Sequence, residues 1–115
     1  MALANQKWKE AQNDFKLAID LEPDNPKLYH ARGLGYQAHA ENLALTVQPR
    51  DLETEDNRVE KAIFFFNMAL SKSETFISSM FHLGLMYRKT NKFHEALIQF
   101  TRVQQQLPND KTVYI

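Results

Sequence analysis

The feature that most constrains this chain is a segment that occurs three times. Gln6-Lys7-Trp8-Lys9-Glu10-Ala11, Asn57-Arg58-Val59-Glu60-Lys61-Ala62 and Asn91-Lys92-Phe93-His94-Glu95-Ala96 align without gaps. In each, an aromatic residue follows the alanine by four positions (Phe15, Phe66, Phe100), and a small apolar residue comes three later (Ala18, Ala69, Val103). A second pattern pairs Tyr29-x-x-x-Gly33-x-x-Tyr36 with Met80-x-x-Leu83-Gly84-x-x-Tyr87. Ala62 and Ala96 are 34 positions apart; Ala11 and Ala62 are 51 apart, one such period plus 17. Spacings of three and four set these residues on one helical stripe. The chain has only 3 glycines, all inside the periodic stretches, and 4 prolines, so it is expected to be all-α. About five helices are expected, near 6–21, 26–46, 57–72, 75–89 and 92–106.

A 34-residue period carrying these residues resembles the tetratricopeptide repeat (TPR), whose signature is a Trp-x2-Leu-Gly-x2-Tyr helix followed by an Ala-x3-Phe helix and a proline. Leu83, Gly84, Tyr87, Ala96, Phe100 and Pro108 match in register, with Met80 at the tryptophan position. An earlier repeat supplies Tyr29, Gly33, Tyr36, Ala62, Phe66 and Ala69, with Arg32 in place of the leucine and Glu74 in place of the proline. Ala11, Phe15, Ala18 and Pro23 match a second (B) helix without its first (A) helix. The resemblance implies antiparallel helix-turn-helix repeats stacked into a short right-handed α-solenoid. On that frame residues 1–25 hold the B helix of a truncated repeat, 26–74 a second repeat with a 17-residue insertion near 42–58, 75–110 a third, and 111–115 the start of another.

The pattern also has a physical reading of its own. Small residues at Gly33, Ala62 and Ala69, and at Gly84, Ala96 and Val103, let two antiparallel helices approach closely. Tyr36, Phe66, Tyr87 and Phe100 fill the wider spaces between hairpins. Asn57 and Asn91 suit caps or turns before each B helix, and Pro23, Pro26 and Pro108 suit the links to the next repeat. In the insertion, residues 40–46 continue a helical stripe until Pro49, and Arg50-Asp51-Leu52-Glu53-Thr54-Glu55-Asp56 reads as an acidic polar connection. Phe64 lies about 200° round the helix from Phe66. It is expected to pack under residues 42–56 or against a partner.

Composition and motif searches exclude most chemistry. The chain of 115 residues has 14 basic and 14 acidic side chains, so no broad cationic surface for nucleic acid or anionic lipid is expected. It has no cysteine, which removes disulfides, thiolate nucleophiles and Cys-type zinc sites. No apolar run approaches membrane-spanning length and no signal peptide is evident, so a cytoplasmic location is expected. Asp51, Glu53, Glu55 and Asn57 alternate like a calcium loop, but Asp56 stands where glycine is needed and Ala62 where glutamate is. His30, His39, His82 and His94 lack paired metal-ligand spacing and read as helix-surface residues. Gly33-Leu34-Gly35 has no third glycine and no preceding strand. No catalytic residue, cofactor or metal site is expected.

The resemblance implies instead a scaffold that binds a protein or peptide in a concave groove lined by A helices. Carried over by repeat position, the groove residues are His30, Leu34, Gln37, Phe81, Leu85, Arg88 and Lys89, with Lys27, Ala31, Ala38, Ser78 and His82 nearby. TPRs that clamp chaperone C-terminal carboxylates use lysine, asparagine and arginine where this chain has His30, Leu34, Phe81, Leu85, Ala31 and His82, so that specificity is not expected. Phe81 and Leu85, one turn apart and flanked by Arg88 and Lys89, form the expected anchor. The alternatives are a structural spacer and, disfavoured by the charge balance, an RNA-binding helical repeat. A loose resemblance to ciliary and cytoskeletal repeat proteins implies those settings as further locations. The chain is also expected to be an internal piece of a longer array. Tyr114 then sits at the tryptophan-like position of the next A helix, with Ile98 and Val103 partly uncovered and weak self-association through the ends. In the alternative, Val113, Tyr114 and Ile115 fold back over that end.

Overall fold

The structure, a computed structural model, describes residues 2–45 and 52–107, with side chains described at 7–40 and 57–107. Among the described residues there are five helices: α1 (Ala2–Leu21), α2 (Pro26–Leu45), α3 (Leu52–Lys72), α4 (Ile77–Lys89) and α5 (Phe93–Gln106). No strand occurs among the described residues.

Local chemistry sets the helix ends. The Asn25 side chain accepts the Lys27 backbone N–H at 3.0 Å and Pro26 opens α2, so a side-chain cap and a proline at the first helical position start it together. The Tyr29 hydroxyl donates to the Pro23 carbonyl at 2.7 Å and ties α2 to the turn before it. After α4 the Lys92 N–H reaches the Tyr87 carbonyl at 2.8 Å and the Asn91 N–H reaches Arg88 at 3.1 Å, while Asn91 has φ 64°. This is a Schellman ending with asparagine in the left-handed position. Asn91 thus closes α4; α5 starts after Lys92, without a side-chain cap.

Two expectations at the insertion are corrected. Residues 52–56 are helical, so α3 begins at Leu52 and Asn57 lies inside it rather than before it. Neither glycine nor proline occurs from Leu52 to Lys72, so nothing in that stretch interrupts a helix. Pro49, Arg50 and Asp51 lie outside the described residues, as do Pro108, Val113, Tyr114 and Ile115.

The helices pack as antiparallel hairpins. Along α2 and α3, Tyr36 lies near Arg58 and Lys61, Gly33 near Phe66, and Tyr29 near Lys72. The core runs through α2, α3 and α4: Tyr36, Ala40, Val59, Ala62, Phe66, Leu70, Met80, Leu83 and Met86 are buried together. A Cβ at Gly33 would lie 2.7 Å from Phe66 Cε1, and one at Gly84 would lie 2.7 Å from Phe100 Cε1. Both hairpins therefore use a missing side chain to seat a ring. The fold is an all-α helical-repeat solenoid of the TPR type. On its outer faces Phe93, Leu97 and Ile98 are exposed, Val103 is half-buried against the core, and Phe64 is 57% exposed; the side chains of 42–56 expected over it lie outside those described. Among the described residues, no helix is long and apolar enough to cross a membrane.

Candidate functional site

The stacking of α2 on α4 brings part of the expected groove together. His30 Nδ1 lies 2.8 Å from the hydroxyl of Ser79, a fully buried polar residue whose burial this partner offsets. His82 Nδ1–H donates to Gln37 Oε1 at 3.0 Å, a second bond across the same helix pair. The His30 ring is 5.5 Å from His82, 5.4 Å from Phe66 and 5.2 Å from Phe76. Burial first, and then the nearby His82, lower the His30 pKa from 6.5 to about 4, so His30 is neutral at neutral pH.

Three of the four histidines are therefore not surface residues. His30, His39 and His82 are half-buried, and only His94 is exposed. The polar partners of His30 and His82 become available only when the non-adjacent helices α2 and α4 meet. Among the described residues, no three His, Asp or Glu side chains gather as a metal set.

The structure divides the remaining groove positions. Phe81 is 45% exposed, with its ring 5.7 Å from His82 and 6.0 Å from Phe100. Arg88 and Lys89 are exposed in the last turn of α4. Leu34 and Leu85, in contrast, pack against the buried core, so Phe81 and Leu85 do not form one exposed anchor. The face consists of a histidine–glutamine row between α2 and α4, one open aromatic ring and a basic end.

A second polar cluster lies where α1, α2 and α3 meet, which the repeat frame did not single out. Trp8 meets Tyr36 edge-on at 5.0 Å and lies 4.3 Å from the His39 ring, with the Arg58 guanidinium 5.4 Å from its centre. The Arg32 Nε–H donates to Gln12 Oε1 at 3.0 Å, and the Arg32 guanidinium lies 4.5 Å over Phe65. Gly35 makes this possible: a Cβ there would stand 2.8 Å from Gln12 Nε2 and 3.4 Å from the Trp8 ring. The sequence does carry a signal. In the shared frame Gln12 occupies the position of Ile63 and Leu97, and Gly35 that of Met86.

Comparison with known proteins supports the fold. No protein-family model and no curated protein matches the chain. Among solved structures, a monomeric mutant of IFIT1 with m7Gppp-AAAA is similar at 27% identity and a TM-score of 0.78, over 92% of this chain and 24% of that one. A human IFIT1 dimer with m7Gppp-AAAA is similar at 25% identity and TM-score 0.77, over 88% of this chain and 22% of that one. MamA (RS-1) gives 21% identity and TM-score 0.66, over 90% of this chain and 49% of its own. The chain thus spans about a quarter of the IFIT1 chains it resembles.

Proposed function

We propose that the chain is a non-catalytic binding module that holds a segment of a protein partner along the α2–α4 face. The observation that carries this reading is Phe81, a large ring left 45% exposed beside the polar row of His30, His82 and Gln37. An aromatic anchor with polar side chains beside it and cations at its edge suits a peptide segment that presents an apolar side chain followed by an acidic one. Arg88 and Lys89 supply the cationic edge. The test is the double substitution Phe81→Ala with Arg88→Glu, read by crosslinking and capture of the partner. Capture should be lost while the helical circular dichroism stays unchanged; undiminished capture by the folded variant moves the site elsewhere.

The likeness to IFIT1 solved with m7Gppp-AAAA, at a TM-score of 0.78, favours RNA as a second reading. The balance of 14 basic and 14 acidic side chains weighs against it, because binding of a polyanion is driven by many neutralised phosphates. Titration with capped and uncapped A4 RNA at two salt concentrations separates the readings. Binding that weakens steeply with salt supports RNA; salt-insensitive peptide capture supports the protein segment.

A further inference from the structure

A pocket of about 500 Å³ opens at the cluster around Trp8. Rings of Trp8, Tyr36 and His39 line it together with the polar ends of Lys9, Gln12 and Arg58. Among the described residues, three buried side-chain nitrogens have no hydrogen-bond partner, and all three belong to residues of this lining: Gln12 Nε2, His39 Nδ1 and Arg58 Nε. Unpaired buried donors are costly, so this is the place where a bound polar group would bring the most relief.

The chemistry of the occupant follows from which atoms are left over. Gln12 is only 9% exposed and its Oε1 already accepts from Arg32, so the unused end is the NH2 donor. Arg58 Nε–H is likewise a donor with no acceptor capacity, and the Lys9 ammonium adds another at the exposed edge. Among the described residues, no Asp or Glu lines the pocket. His39 adds no further charge, because burial and the neighbouring Arg58 lower its pKa. Asn13, Tyr36 and the neutral His39 can donate or accept, so the described lining has two cations and no carboxylate, a balance that suits an oxyanion.

We infer that this pocket binds the side-chain carboxylate of a glutamate or aspartate presented by a protein partner. The inference rests on reading the chain as a protein-binding module and adds a second contact, apart from the α2–α4 face. One arginine and one lysine match one carboxylate, whereas a nucleic acid draws its affinity from a series of phosphates. The volume admits an acidic side chain with adjoining backbone and bridging water. The three orphan nitrogens are closed off from bulk water, so occupancy requires Gln12 and Arg58 to turn toward the carboxylate. Trp8, with the Arg58 guanidinium 5.4 Å from its ring, reports that movement.

The chain has a single tryptophan, so its fluorescence reads this pocket alone. The intact chain is titrated with an acetylated, amidated Ala-Ala-Glu-Ala-Ala peptide and with the same peptide carrying glutamine. A saturable change with the glutamate peptide is expected, with at least tenfold weaker binding of the glutamine form. Arg58→Gln should weaken the glutamate peptide at least tenfold and Arg58→Lys less. Lys9→Gln, at an exposed position, should cost two- to threefold even if the Arg58 variants fail to fold. Equal response to both peptides overturns the inference, as does unchanged binding in Arg58→Gln or Lys9→Gln. Displacement of the peptide by micromolar A4 RNA, with no effect of millimolar inorganic phosphate, assigns the pocket to nucleic acid and equally overturns it. Phe81→Ala with Arg88→Glu should leave the titration unaltered, so failure here and failure of the α2–α4 reading are told apart.

Discussion

The α2–α3 and α4–α5 hairpins seat a phenylalanine on a glycine in the same way, yet they bury it to different extents. Phe66 lies on Gly33 and is fully buried, with the His30 and His82 rings 5.4 and 5.6 Å away. Phe100 lies on Gly84 but remains half-buried, and its ring neighbour Phe81 is itself 45% exposed. One hairpin thus supplies only half of its aromatic's surroundings. The other half comes from the next hairpin, as nearest-neighbour stacking requires.

The largest expected effect breaks this contrast at the ring itself. Phe66→Ala should destabilise the fold by about 4 kcal/mol and Phe100→Ala by about half as much, since a cavity costs most where the surroundings cannot close on water or collapse. Urea unfolding of both variants checks the ratio, and equal losses would contradict the nearest-neighbour account. At the glycines, Gly33→Ala should cost about 2 kcal/mol because the fully buried Phe66 has nowhere to move. Gly84→Ala should cost about 1 kcal/mol or less, because the half-exposed Phe100 can swing outward.

Three positions before those glycines stand His30 in one hairpin and Phe81 in the other, so only the first should respond to pH at this place. The His30 pKa is lowered from 6.5 to about 4, so the unfolded chain takes up a proton that the fold resists. The contribution to stability is therefore complete above about pH 6.5 and is lost as pH falls toward 4. Because His30 is only half-buried, solvent screening reduces the effect to about 1 kcal/mol. Unfolding midpoints at pH 7.5, 5.5 and 4.5 should show this slope, and His30→Gln should reduce it. The smallest effect concerns the links. Asn91 alone among the described residues has positive φ, so Asn91→Ala should cost about 0.5–1 kcal/mol and Asn91→Gly should be nearly neutral. Thermal unfolding resolves the pair.

Much of the fold was legible because its determinants are local or repeated. The glycine–aromatic pairs and the five helices follow from spacings of three and four that recur one period apart. The start of α3 is not legible from charge alone, because a polar acidic stretch is compatible with loop and with helix. The candidate site was less legible. His30 and Ser79 are 49 positions apart, and His82 and Gln37 are 45 apart, so their pairing exists only after stacking. Leu34 and Leu85 sit on the boundary between groove and core, and a repeat frame alone does not decide which side they join. The Trp8 pocket left a trace in the substitutions of Gln12 and Gly35 within the frame, but its orphaned donors are a property of three helices together.

Helices of 20 and 21 residues in the α2–α3 hairpin stand beside helices of 13 and 14 in the α4–α5 hairpin. At 1.5 Å per residue, that is ~30 Å against ~20 Å. The additional length lies toward the α2–α3 connection, at the tip farthest from the 73–76 turn that leads into α4. Growth there leaves the register between neighbouring hairpins untouched, because every described bond from α2 to α4 is made by residues no later than Gln37. The extra helical length thus lies beyond the described α2–α4 bonds, and the Trp8 pocket sits at its base.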